Sequence, residues 1–117
     1  MQQDYLQIRV FEVSPQVTVS GQLFGKDIEL LARQGVRSIV SNRVDRESPG
    51  QPLAAELAAV AEECGITFVH FPVEPGPISA DSIDAFSKLC DELERPLHLF
   101  SRSGGRSIKI WELAESF

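Results

Sequence analysis

This sequence is short of several things at once, and each shortage excludes something. Its 117 residues include two cysteines, Cys64 and Cys90, too few for a disulfide framework and set in no Cys/His spacing suited to zinc. No metal site and no cofactor are expected, and a reducing, cytoplasmic setting is. No apolar run approaches the roughly 18 residues of a membrane span. The opening Met1-Gln2-Gln3-Asp4 lacks the basic flank and apolar stretch of a signal peptide. Cations are scarce, with 11 Lys+Arg against 17 Asp+Glu and a formal net charge of −6. That is the wrong sign for nucleic acid, where affinity comes mainly from neutralising phosphates. Neither a repeat nor a low-complexity linker interrupts the chain. With 43% hydrophobic and 24% charged residues, it reads as one globular domain over 1–117.

The scarcity of cations is uneven. Residues 51–94 hold nine acids and only Lys88, a net of −8, so the rest of the chain sums to +2. The acids fall mostly on the exposed faces of two expected helices, where they favour solubility.

The hydrophobic pattern alternates between the two regular periods. Leu6, Ile8 and Val10 alternate as a half-buried strand, and Val17–Val19 pairs with it across a turn at Ser14-Pro15. Lys26–Gln34 presents Ile28, Leu31 and Ala32 on one helical face before Gly35. Val36–Val40 follows as a buried strand. Pro52 suits a first helical position, with Leu53, Leu57, Val60 and Cys64 at helical spacing and Gly65 as the stop. Ile66–Phe71 reads as a strand, and Pro72–Pro77 as a loop. Ser79 caps a helix striped by Ile83, Phe86, Cys90 and Leu93. Both cysteines thus fall on packing faces. Leu97–Phe100 is a strand, and Gly104-Gly105 opens a last helix carrying Ile108, Trp111 and Leu113. The expected fold is α/β, a mainly parallel sheet of four to five strands flanked by helices. Ligands of such sheets sit beyond the carboxyl ends of the strands, at loops 41–50, 72–78 and 101–106.

The most informative stretch is Leu97-His98-Leu99-Phe100 running into Ser101-Arg102-Ser103-Gly104-Gly105-Arg106-Ser107. Successive N–H groups of a small glycine loop can point inward, the following helix adds partial positive charge, and Arg106 supplies a planar fork. That composition is an anion cradle, built from Arg102, Ser103, Gly104, Gly105, Arg106 and Ser107. The segment lacks the Gly-Lys-Ser/Thr ending of nucleotide-binding loops, and the chain has no Gly-x-Gly-x-x-Gly. Asn42 and Arg43, at the carboxyl end of an expected strand, are candidates for the same mouth, although a salt bridge from Arg43 to Asp45 or Glu47 explains it equally well.

These residues resemble the bacterial beta-lactamase-hydrolase-like phosphatase domain, a small relative of tyrosine and dual-specificity phosphatases. That family carries Cys-Arg-Ser-Gly-Thr-Arg-Ser before a helix with a Trp, matching 101–107 and Trp111 except at the first position. The blocks Val13-Ser14-Pro15-Gln16, Ser20-Gly21-Gln22-Leu23, Asn42-Arg43, Pro49-Gly50-Gln51-Pro52, His70-Phe71-Pro72-Val73 and Pro75-Gly76 extend the likeness over most of the chain. The resemblance implies a cysteine-phosphatase-like fold, a phosphate-binding loop, and phosphate, sulfate or a phosphorylated molecule as ligand. It leaves the oligomeric state open.

Three departures qualify that expectation. The nucleophile position is Ser101, and a serine hydroxyl is scarcely ionised near neutral pH, whereas a thiol in such a loop is largely thiolate. His98, on the preceding strand, reads as structural. The spacing from Ser101 to Arg106 is one residue shorter than in the large tyrosine-phosphatase group, which by resemblance is a trait of the small bacterial family. Where related phosphatases place an aspartate as general acid, the loop Pro72–Pro77 offers only Glu74. The expectation is an inactive, anion-binding pseudophosphatase. The alternatives are an active cysteine phosphatase whose Cys was replaced by Ser in the laboratory, and a sulfide- or persulfide-handling domain similar to rhodanese-type domains. Phe100 before the loop and Lys109 on an otherwise apolar helix favour a natural serine.

Overall fold

The computed structural model describes residues 8–116. Four short strands, β2 (Val17–Ser20), β3 (Ser38–Ser41), β4 (Thr67–His70) and β5 (Leu97–Phe100), run parallel. The antiparallel β1 (Val10–Ser14) completes the order β1-β2-β5-β3-β4. The returns between the parallel strands are made by α1 (Gly25–Arg33), α2 (Ala54–Glu63) and α3 (Ala80–Glu92), and α4 (Gly105–Glu115) follows β5. This is the expected α/β sheet flanked by helices, and β5 has the bounds its apolar run predicts.

Strand alternation divides the core into two layers. Val17, Val19, Val40, Leu97 and Leu99 pack beneath α3 and α4 with Phe86, Cys90, Ile110 and Trp111. On the opposite face, Ile39 and Phe100 meet Ile28, Leu31, Leu57 and Ala61 of α1 and α2. Each fully buried aliphatic or aromatic side chain contributes about 1.5–3 kcal/mol through removal from water. Strands this short need cover on both faces, and the helices supply it. Among the described residues no helix is long and apolar enough to cross a membrane.

Helix starts are fixed by side chains that satisfy unpaired N–H groups. Ser79 Oγ accepts from the Ser82 N–H at 3.1 Å, the cap expected for α3. Asp27 Oδ2 accepts from the Phe24 N–H at 2.8 Å ahead of α1. Asp45 Oδ1 reaches from nine residues upstream to the Ala54 N–H at 2.9 Å, opening α2. Pro52 therefore stands outside α2 rather than at its first position, because Leu53 is the capping residue. The first strand also differs from expectation. Leu6 lies outside the described residues, and β1 begins only at Val10, which with Phe11 is about 40% exposed. As an edge strand paired to β2 alone, β1 lacks the cover that a half-buried alternation presumes. The turn is one residue later, at Pro15-Gln16, with Gln16 left-handed at φ 63°.

His98 lies fully buried between β5 and β2, its Nδ1 2.8 Å from Thr18 Oγ1 and its Nε2 2.8 Å from Ser20 Oγ. Ser20 Oγ donates to the Gly21 carbonyl at 2.9 Å, so it accepts from Nε2–H, while the Thr18 hydroxyl donates to Nδ1. Burial pushes the imidazole down to about 4 from the usual 6.5. The unfolded chain therefore binds this proton first as pH falls, and the native state loses stability between about pH 6.5 and 4, by about 3 kcal/mol in all. Urea unfolding across that window is expected to show this slope and to show it reduced in His98→Gln. An unchanged slope in the variant contradicts the assignment.

Candidate anion-binding site

The carboxyl ends of β2, β3, β4 and β5 share one edge of the sheet, which brings together the loops beginning at residues 21, 42, 71 and 101. The chain leaves β5 at Ser101, which is fully buried, and turns through Gly104 into α4. Gly104 has φ +98°, and a Cβ there would lie 3.3 Å from the Ser20 carbonyl oxygen, so both conformation and space require glycine. Within this turn Ser101 Oγ accepts from the Gly104 N–H at 3.1 Å and, at longer range, from the Ser107 N–H at 3.4 Å. The N–H groups of Arg102, Ser103, Gly105 and Arg106 find no acceptor among the described residues. Successive free amides at a helix N-terminus form a concavity for an anion. Ser101 Oγ accepts two hydrogen bonds and makes none as donor among the described residues, which leaves its hydrogen available to a ligand.

Arg106 does not hang free in this concavity. Its Nη1 donates to Glu47 Oε2 at 2.8 Å and its Nη2 to Glu47 Oε1 at 2.7 Å, a fork-to-fork pair. Nη1 also donates to the Val73 carbonyl at 2.9 Å. The other edge of the guanidinium, Nε with the outer hydrogen of Nη2, is unengaged among the described residues and can take a second oxyanion. Glu47 in turn accepts from Arg43 Nε at 3.0 Å. The hydrogen bonds from Arg106, followed by that from Arg43, hold the Glu47 carboxyl at about 2, well below the usual 4.5, against the opposing effect of burial.

The remaining expected site residues divide by role. Arg102 and Ser103 are exposed on the loop, and the Arg102 carbonyl accepts from the Gln22 N–H at 3.3 Å. Ser107 is buried and its hydroxyl donates to Asn42 Oδ1 at 2.8 Å. Asn42, also buried, donates through Nδ2 to the Phe71 carbonyl at 3.0 Å, so it ties three loops together from behind the concavity. Arg43 is buried with every nitrogen engaged: Nε on Glu47, Nη1 on Gln22 Oε1 at 2.8 Å and Nη2 on Ser48 Oγ at 2.9 Å. It supports the mouth from within. Glu74 is exposed on the loop whose preceding residue, Val73, accepts from Arg106. No group of three or more His, Cys, Asp or Glu side chains suited to a metal occurs among the described residues.

Sequence reasoning singled out Arg106 but gave Glu47 no role beyond a surface pair for Arg43. The two groups are 59 residues apart, and only the sheet order brings them together. Gly21 carries no local signal beyond its place in Ser20-Gly21-Gln22-Leu23, yet a Cβ on it would approach the Arg102 carbonyl oxygen to 3.1 Å.

A family model for the phosphatase-like domain of beta-lactamase hydrolase-like protein matches residues 8–117. The beta-lactamase hydrolase-like protein of Agrobacterium fabrum (strain C58 / ATCC 33970) is 28% identical over 109 residues, which are 93% of this chain and 25% of that protein. The chain thus spans about a quarter of the length of the curated relatives it matches. A crystal structure of a phosphatase candidate from Neisseria meningitidis Z2491 superposes with a TM-score of 0.79 at 32% identity, over 86% of this chain and 71% of that one. Kinase associated phosphatase, crystallised with its catalytic-site cysteine substituted by serine, superposes with a TM-score of 0.66 at 18% identity, over 95% of this chain and 76% of that one, and so shares the fold.

The Glu47 network makes a specific claim about stability. A carboxylate whose folded pKa is depressed stabilises the fold above its unfolded value, near 4.5, and the contribution is lost as pH falls towards about 2. Glu47→Gln is expected to unfold at lower urea than the parent at pH 7, by about 2 kcal/mol because it leaves the buried Arg43 without a counter-charge. The gap should narrow between pH 4.5 and 2; a gap that stays constant rules out an ionised Glu47 as its source.

Proposed function

The chain belongs to the family of phosphatase-like domains found in beta-lactamase hydrolase-like proteins, and on that footing we propose that it is an oxyanion-binding pseudophosphatase whose loop 101–107 takes phosphate, sulfate or a phosphorylated ligand without turning it over. Its fold is that of the dual-specificity and cysteine phosphatases. One observation carries the proposal. Ser101 Oγ is fixed by two main-chain N–H groups and has no base within hydrogen-bonding reach among the described residues, while Arg106 keeps its Nε/Nη2 edge open.

The chemistry follows from those contacts. Attack on phosphorus needs a hydroxyl that loses its proton, and an unassisted serine holds it near neutral pH. Both nitrogens of His98 are already engaged with Thr18 and Ser20. The donors around Ser101 bind an anion instead, with the loop amides and Arg106 on its oxygens and the Ser101 hydroxyl as one further donor. The same amides would stabilise a thiolate at position 101, which is why a cysteine phosphatase is the alternative reading. In that case Glu74 is the general acid, since Val73 holds its loop against Arg106. A sulfide- or persulfide-handling role gains no support. Cys90 lies in the core with its thiol pushed up to about 12 by burial, and Cys64 follows α2 away from the loop.

Isothermal titration with phosphate, sulfate or vanadate is expected to show binding that Arg106→Ala weakens by about 10–100-fold, the worth of a charge-assisted hydrogen-bonded pair. Absence of binding to the parent, or indifference to Arg106→Ala, overturns the proposal. For catalysis, the parent should be inert towards an aryl phosphate and Ser101→Cys should hydrolyse it. In that background Glu74→Gln should lower kcat by about 100-fold or more for poor leaving groups. An active parent contradicts the pseudophosphatase reading, and an unaffected Glu74→Gln removes Glu74 as the acid.

A further inference from the structure

The last helix holds the Glu74 loop at two points. Arg106 Nη1 donates to the Val73 carbonyl at 2.9 Å, and Lys109 Nζ donates to the Gly76 carbonyl at 3.2 Å. Residues three apart on a helix are neighbours on its surface, so Arg106 and Lys109 stand side by side on α4 as two donors. Their acceptors, Val73 and Gly76, are also three residues apart in the chain, and Glu74 lies between them. The short segment bearing this acid is therefore fastened on both sides to the helix that carries the anion cradle.

Little else fastens it. Pro72, Pro75 and Pro77 have no N–H to donate. Within Pro72–Pro77 only the Val73 N–H is bonded among the described residues, to the Asn42 carbonyl at 2.9 Å. Val73 is buried, whereas Pro72 and residues 74–77 are exposed and add nothing to the core. A cavity of about 250 Å³ opens between this loop and the start of α3, lined by Pro72, Val73, Glu74, Pro77, Ile78 and Ser79, so packing does not prop the loop from that side. Beyond Val73, the Lys109 contact is the one hydrogen bond to residues 74–77 among the described residues.

The sequence makes Lys109 look out of place, a cation on an otherwise apolar helix. It is exposed, and Glu112, three residues on, is exposed too, yet the two form no ion pair among the described residues. The ammonium is committed to the loop carbonyl instead. We propose that Lys109 is a positioning residue for Glu74, latching loop 72–77 to α4 beside Arg106 so that the carboxyl is held at the cradle.

This inference rests on the reading of Glu74 as the general acid once position 101 carries a thiol. In the Ser101→Cys protein the thiolate sulfur bonds to phosphorus as the P–O ester bond breaks, and the Glu74 carboxyl passes its proton to the departing oxygen. Water then cleaves the S–P bond and releases phosphate. The proton transfer is the step that depends on where Glu74 stands, and it matters when the leaving oxygen is basic.

The test measures kcat/KM of the Ser101→Cys protein for phenyl phosphate, whose leaving group needs the proton, and for dinitrophenyl phosphate, whose leaving group does not. Adding Lys109→Met, which keeps the apolar stem and removes the ammonium, is expected to lower the first about fivefold, the worth of an exposed charge-assisted hydrogen bond, and to leave the second within about twofold. Lys109→Arg should keep both values within about twofold, because its guanidinium can still donate to the carbonyl. In a Glu74→Gln background Lys109→Met should change neither ester further, since the two residues act as one unit. An unchanged phenyl phosphate rate, an equal loss on both esters, or the same loss in the Glu74→Gln background overturns the inference and leaves the acid assignment standing. A Glu74→Gln substitution without effect, or a Ser101→Cys protein inert towards both esters, overturns the acid assignment and this inference together. Calorimetry of the parent with phosphate reports separately on the anion-binding reading.

Discussion

Glu47 places one carboxylate between two guanidinium groups, and most of what the site can do follows from that placement. Its oxygens lie 2.7 and 2.8 Å from the terminal nitrogens of Arg106 and 3.0 Å from Arg43 Nε. The pairing joins the β3–α2 connection to the first turn of α4. Without it, Arg106 would sit beside the positive end of a helix and a row of free amides, all repelling it. With it, the guanidinium is neutralised along one edge and oriented along the other. A ligand oxyanion then meets a donor fork already in position, so little side-chain freedom is lost on binding.

The glycines complete the constraint. Gly104 must be left-handed and close to the Ser20 carbonyl, and Gly21 must let the Arg102 carbonyl approach. The loop is held from below by β2 and from the side by Glu47 and Val73, while Asn42 and Ser107 close the back. Cysteine and serine are both compatible with such a frame. A thiol in this concavity is driven towards thiolate by the surrounding amides, and a hydroxyl keeps its proton and becomes one donor among several. On the proposed reading, the same scaffold would serve either turnover or retention of a bound anion, according to one atom.

Much of this was legible in the sequence, for identifiable reasons. The buried strands are short apolar runs bounded by turn residues, so Leu97–Phe100 and its place before the glycine loop could be read directly. Ser79 announced α3 because a hydroxyl before a helical stripe has few other uses. The cradle was readable because its donors are contiguous in the chain. Glu47 was not, because its partner is 59 residues away and nothing local distinguishes it from a surface acid. Asn42 and Arg43 looked like mouth residues because they end a strand, yet burial turns both into supports. The first strand was misplaced because alternation at Leu6, Ile8 and Val10 presumes a helix overhead, and β1 at the sheet edge begins later and stays exposed. The charge of −6 conceals the division between acidic helices and a carboxyl edge at which Asp27, Asp45 and Glu47 are engaged.

The central claim is geometric: the anion rests over Ser101, on the loop amides and the Nε/Nη2 edge of Arg106, while Glu47 keeps the opposite edge. A crystal structure of the protein soaked with tungstate tests this most directly, since the heavy atom locates the anion without ambiguity. The account predicts tungstate oxygens within hydrogen-bonding distance of the N–H groups of Arg102, Ser103, Gly105 and Arg106 and of Arg106 Nε, with the Glu47 pair unbroken. An empty loop in such crystals, or an Arg106 that has left Glu47 to bind the anion through its terminal nitrogens, would contradict it.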